Sequence, residues 1–169
     1  MGVGVLGTGV QARLQIALLK NLYPACNKLT VWGRSRENTV NYAKEVAAMG
    51  WDVSIVDSPK QVADNSNLLI TTTASEVALL DANDISMQNT VIIAIGADMP
   101  GKVELSPALL QKAQAILIDS IPQGIDHGNA AVAIRDNIIR PSDLQEFGDF
   151  LTNGYREPEA KDRRRIFFS

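Results

Sequence analysis

Two stretches of this chain hold residue types at spacings that can do chemistry. The first is Gly7-Thr8-Gly9-Val10-Gln11-Ala12, a G-x-G-x-x-A pattern between the apolar run Val3–Leu6 and a helical pattern. Each small residue has its own job. Gly7 permits a sharp turn out of a strand, Gly9 lets a pyrophosphate approach the backbone, and Ala12 keeps the helix close to the sheet. The free N–H groups that open the helix, with Thr8, Val10 and Gln11 in the cradle, then face the phosphates. Dinucleotide binding is the expectation. Arg13 breaks a rule, because a cation in the first helical turn opposes the helix dipole. Either a bound pyrophosphate cancels that cost or Arg13 reaches an acidic neighbour. The second stretch, Ala94–Lys102, places Asp98 just past a buried strand. A carboxylate there can take a proton from a substrate ammonium. The plainer role is a turn-former ahead of Pro100-Gly101.

Other residues set what such a site holds. The choice between NAD and NADP falls to the end of the second strand, where an acid bonds the ribose 2′-hydroxyl and an arginine accommodates a 2′-phosphate. The chain reads Trp32-Gly33-Arg34-Ser35-Arg36 there, with no acid before Glu37. Arg34 can stack on adenine or pair with phosphate, and Ser35 can donate a hydrogen bond or cap the next helix. NADP(H) is favoured, with NAD(H) the alternative. Thr71-Thr72-Thr73-Ala74-Ser75 leaves another strand. Hydroxyls and backbone of Thr72, Thr73 and Ser75 can hold the nicotinamide ribose or carboxamide, and Gly96 in the second stretch is a further cofactor-binding candidate; Thr73 to Glu76 also has the spacing of a capping box. Lys102 and Glu104 read as a solvated pair. His127, the single histidine, is expected in solvent, and no metal cluster or Ser/His/Asp set can be built around it.

The elements that position these groups alternate almost throughout. Strands are predicted at Val3–Leu6, Lys28–Trp32, Val53–Val56, Leu68–Thr71, Val91–Ile95, Ile116–Ile118 and Ile166–Phe168. Helices are predicted over Gln11–Lys20, with Leu14, Ala17 and Leu18 facing the core, from Ser35 to about Met49, and after Ser58-Pro59. Two more begin at Ser106-Pro107 and at Pro141, the last ending near Asn153-Gly154. Short Val- and Ile-rich strands without alternation are buried on both faces. Interleaved with helices, they make a mainly parallel, doubly wound α/β sheet of the Rossmann type in one domain. Tyr155–Arg163 is the one linker-like stretch.

Composition narrows the partners. Hydrophobic residues make up 46% of the 169 positions, enough for a real core. A net charge of −3 argues against nucleic acid as the main partner. The run Arg163-Arg164-Arg165 is too short to reverse that. A lone cysteine, Cys26, excludes an intrachain disulfide and a thiolate metal cluster. No apolar run approaches the roughly 18 residues that cross a bilayer, and the start lacks the charged segment of a signal peptide. A cytoplasmic protein with no membrane partner is the expectation.

Gly7-Thr8-Gly9-Val10-Gln11-Ala12-Arg13, Val31-Trp32-Gly33-Arg34, Thr71–Ser75 and Gly96-Ala97-Asp98-Met99-Pro100-Gly101-Lys102-Val103-Glu104-Leu105 occur in this order. Together with Asp119-Ser120, Gln123, Phe147-Gly148 and Ile166–Ser169, they resemble the ornithine cyclodeaminase/μ-crystallin family over essentially the whole chain. The resemblance implies an NAD(P)(H)-binding domain of a homodimeric enzyme acting on an amino-acid or imino-acid substrate. It implies Asp98 as the acid/base residue and a preceding substrate and dimerisation domain that this sequence does not contain. Reduction of a cyclic imino acid of the pyrroline-2-carboxylate type is the first expectation. Ornithine cyclodeaminase, alanine dehydrogenase and a catalytically silent nucleotide-binding fragment remain open. Where many relatives carry an acid, this chain has Asn129.

Overall fold

The computed structural model describes residues 2–85, 90–153 and 165–168. In chain order they form β1 (Val3–Leu6), α1 (Val10–Leu22), β2 (Lys28–Trp32), α2 (Arg36–Ala48), β3 (Asp52–Ile55), α3 (Pro59–Asp64), β4 (Leu68–Thr71) and β5 (Val91–Ala94). Then come α4 (Pro107–Gln111), β6 (Ala115–Ile118), α5 (Ile121–Asp126), α6 (Gly128–Arg135), β7 (Leu144–Glu146), α7 (Phe147–Asn153) and β8 (Arg165–Phe168). The strands make one sheet in the order β3-β2-β1-β4-β5-β8-β6-β7, and every pair is parallel. This is the doubly wound Rossmann arrangement.

Strand alternation divides the core into two layers. Val3 and Val5 face one way and pack with Ala12, Ile16, Tyr42 and Val46 of α1 and α2. Leu6 faces the other way, with Val62, Leu69, Ile92, Leu105 and Leu109. Serines start three of the helices as the sequence predicts. Ser35, Ser58 and Ser106 each accept a hydrogen bond from a backbone N–H three residues on, satisfying amides that the first turn leaves free.

Four expectations fail, each for a physical reason. Leu14 and Leu18 are 58% and 54% exposed, while Ala12 and Ile16 are fully buried. Helix α1 carries two apolar rows, and the row holding the small Ala12 faces the sheet because only it permits close approach. No helix follows Thr73, whose N–H and hydroxyl donate to Glu104 while the Ser75 hydroxyl donates to the Val77 carbonyl. Residues 119–140, given no element in the sequence reading, hold α5 and α6; Pro122, Gly124 and Gly128 had hidden the helical period. The helix predicted from Pro141 is interrupted by β7, where Leu144 pairs with Ile116, so completing a sheet edge outweighs the local pattern. The linker-like stretch 155–163 and most of the arginine run lie outside the described residues.

Candidate functional site

Strand register brings the predicted residues to one edge. Leu6 is level with Trp32 and with Thr71, and Thr71 with Ala94. Gly7, Gly33, Thr72 and Ile95 therefore leave the sheet at the same height. The strand order reverses between β1 and β4, and a crevice at the carboxyl ends of such a switch point is where open α/β sheets hold ligands.

The glycines of this edge are small for different reasons. Gly7 has φ 110°, and a Cβ there lies 2.9 Å from the Thr72 carbonyl oxygen. A Cβ on Gly33 meets Thr39 Oγ1 at 2.6 Å and Thr8 Cγ2 at 2.9 Å, and one on Gly96 collides with the Thr73 backbone and Glu104. Gly9 differs from all three. Its φ of −82° and ψ of −168° suit any residue, and a Cβ there meets no atom within 4 Å. Neither backbone nor packing within the chain demands a glycine at this position. A ligand lying against the backbone would demand one. Gly9 is also the N-cap of α1 with no side-chain cap, and the first turn holds no acid, so its amide hydrogens are left for an anion.

Arg13 resolves toward its acidic neighbour. Its Nε and Nη2 donate to the two carboxyl oxygens of Glu45 on α2, and Nη1 donates to the carbonyls of Thr8 and Gly9. The guanidinium thus braces the loop from behind by its carbonyl side, leaving the amide side free. The Arg13 hydrogen bond holds Glu45 below the usual carboxylate range. A group so depressed stabilises the fold above its unfolded-state value and loses that contribution as pH falls through its folded-state value. The melting temperature of the wild type is therefore expected to exceed that of Glu45→Gln at neutral pH, and the gap to close on acidification. A gap that widens in acid contradicts this brace.

Beyond β2, Trp32, Gly33, Arg34, Thr39, Ile55, Val56 and Asp57 line a groove. Arg36 pairs with Asp57 at 3.5 Å. Arg34 is exposed and has no ion-pair or hydrogen-bond partner among the described residues. Ser35 is the cap of α2.

The threonine loop is more self-contained than its sequence implies. The Thr72 hydroxyl donates to the Leu6 carbonyl, the Thr73 hydroxyl to Glu104, and the Ser75 hydroxyl to the Val77 carbonyl. The Thr73 and Ser75 hydroxyl oxygens also accept, from the Ser75 and Val77 N–H groups. Glu104, read as solvated, is fully buried. The one hint in the sequence is its place between Val103 and Leu105. Lys102 pairs instead with Asp98, Nζ to Oδ1 at 2.7 Å. That hydrogen bond holds the Asp98 carboxyl below the usual aspartate range, with His127 contributing a smaller pull. The Asp98 side chain is ionised and 60% exposed.

His127 is not in solvent. Its side chain is 18% exposed, because the turn at Gly128, φ 84°, folds α6 back until Gly128 abuts the Ala97 carbonyl. The imidazole lines a cavity of about 30 Å³ with Ala97, Asp119, Gln123 and Asn129, and its Nδ1 lies 3.1 Å from Asp126 Oδ2. Among the described residues no three His, Cys, Asp or Glu side chains cluster as a metal site, and no helix is long and apolar enough to cross a membrane.

Known proteins share this arrangement. The chain is 28% identical over 167 residues to the alanine dehydrogenase of Archaeoglobus fulgidus, covering 98% of this chain and 50% of that protein. It is 29% identical over 146 residues to the iminosuccinate reductase of Paracoccus denitrificans, covering 86% and 44%. The crystal structure of that reductase with NAD+ superposes with a TM-score of 0.87 at 25% identity, over 98% of this chain and 50% of that one. The Thermococcus litoralis Δ1-pyrroline-2-carboxylate reductase with NADH and L-proline gives 0.87 at 19% identity, over 99% and 52%, and shares the fold. The chain thus spans about half the length of these relatives. The model of the ornithine cyclodeaminase/mu-crystallin family matches residues 1–166, and this chain belongs to that family.

Proposed function

We propose that these residues bind a nicotinamide dinucleotide and form the cofactor half of an oxidoreductase acting on a C–N bond. The observation that carries this reading is Gly9, whose missing side chain answers no need of the protein's own packing. Gly7 to Ala12 cradle the pyrophosphate, Gly33, Arg34 and Ser35 border the adenosine ribose, and Thr72, Thr73, Ser75 and Gly96 border the nicotinamide. When bound, the nicotinamide supplies or takes the hydride. Asp98 handles the proton. In the oxidative direction it takes one from the substrate ammonium, freeing the nitrogen lone pair; in the reductive direction it returns one to nitrogen.

Arg34 favours NADP(H), because its charge has no partner among the described residues while Arg36 is neutralised by Asp57. NADPH suits net reduction, so reduction of a cyclic imino acid to an amino acid is the preferred reaction. The groups that clamp the substrate carboxylate, and the family's dimer contacts, lie on this reading outside residues 1–169. A second reading, an NAD-linked amino-acid dehydrogenase, is favoured by the similarity to the Archaeoglobus enzyme and by the NAD+ in the Paracoccus structure. Fluorescence titration separates them. NADPH is expected to bind at least about tenfold more tightly than NADH, and Arg34→Ala to erase the difference, a loss of about 1.4 kcal/mol. Tighter NADH binding by the wild type overturns the Arg34 argument.

A further inference from the structure

Glu104 is bonded more heavily than a structural loop residue requires. Its Oε1 accepts from the Thr73 N–H at 2.5 Å and the Thr73 hydroxyl at 2.8 Å. Its Oε2 accepts from the Thr71 hydroxyl at 2.6 Å and the Gly96 N–H at 2.9 Å. The backbone is held as firmly. Asn129 Oδ1 accepts from the N–H groups of Glu104 and Leu105 at 2.8 and 3.0 Å, and the Glu104 carbonyl accepts from Leu79 and Leu80. One fully buried side chain thus ties the carboxyl ends of β4 and β5 together, and Asn129 ties that knot to the start of α6. Asn129 does this as a neutral amide, so no second carboxyl group is buried beside Glu104.

The bonds have a direction. Each carboxyl oxygen receives one backbone N–H, which cannot reverse, so an amide in place of the carboxyl sets an NH2 against an amide hydrogen at one of the two. The two elements joined, Thr71–Thr73 and Gly96, border the nicotinamide side of the crevice, whereas the phosphate loop and the Arg34 groove are built without Glu104.

We propose that Glu104 is the positioning residue for the nicotinamide end of the site. It sets the height and spacing of the threonine loop and of the Gly96–Asp98 segment without touching the ligand. This rests on the dinucleotide reading above. It makes binding of the two halves of the cofactor separable, because only one half lies against what Glu104 holds.

The test is calorimetric titration of the 169-residue chain and of Glu104→Gln with two probes, the preferred reduced dinucleotide and its adenosine-diphosphoribose portion lacking nicotinamide. The expected result is a loss of about fivefold or more for the dinucleotide with the truncated probe within about twofold of wild type. Equal loss for both probes, or no loss for either, overturns the assignment. If Glu104→Gln does not fold, Thr73→Val removes one donor to Oε1 and is expected to show the same split in smaller degree; an unchanged dinucleotide affinity in that variant overturns it. A wild-type chain that binds neither probe overturns the dinucleotide reading itself, and this proposal with it.

Discussion

A chain carrying Gly9→Ala is expected to melt within about 3 °C of the wild type and yet bind NADPH or NADH at least about tenfold more weakly. The two halves of this expectation have separate causes. The added methyl meets no atom of the protein within 4 Å and the backbone angles suit alanine. Alanine caps a helix less well than glycine, but it also restricts the unfolded chain, and the two effects offset within about 1 kcal/mol. The same methyl occupies the place where a pyrophosphate must touch the backbone. Gly7→Ala is the control. At φ 110° and 2.9 Å from the Thr72 carbonyl oxygen, it is expected to cost about 2 kcal/mol or more and to lower the melting temperature by about 5 °C. Calorimetry and a melting curve on the two variants separate a residue kept for a ligand from one kept for the turn. If Gly9→Ala binds as the wild type does, the cradle is not where the dinucleotide lies.

Asp98→Asn is expected to lower kcat by about 10²- to 10⁴-fold in a preparation that includes the substrate-holding part, with cofactor affinity unchanged. Asparagine keeps the size and the turn but cannot take a proton. Loss of cofactor binding and turnover together makes Asp98 the turn-former that Pro100-Gly101 also allows. The pH profile adds a second reading of the same residue. Lys102, 2.7 Å away, holds the Asp98 carboxyl below the usual aspartate range. In the oxidative direction, where Asp98 acts as the base, the acid limb of kcat/KM therefore lies below that range, and Lys102→Met moves it upward toward the ordinary value.

The sheet was legible because its cues are local. Val3–Leu6, Lys28–Trp32 and Leu68–Thr71 were found to the residue, being short β-branched runs closed by turn or cap signals. The turn from β1 into α1 was legible because Gly7 takes φ 110° there and the small Ala12 is fully buried against the sheet. What stayed hidden is decided at a distance. Glu104 looks like a solvated charge beside Lys102 until Thr71, Thr73, Gly96 and Asn129 arrive from three other parts of the chain. His127 looks exposed until Gly128 turns α6 against Ala97. The buried face of α1 turned on whether Ala12 or Leu14 meets the strands, which depends on helix-to-sheet distance, something no helical period encodes.

The position of β8 bears on how this polypeptide leaves the ribosome. Val91 pairs with Arg165, and among the described residues β6 and β7 join the rest of the sheet by strand pairing only through β8. The β5 edge away from β4 is therefore bare from the time it is synthesised until residues 165–168 emerge. Such an edge is a template for pairing with another nascent chain. Until residues 165–168 arrive, the β6–β7 pair has no partner on the β5 side, so β8 is the keystone that closes this half of the sheet.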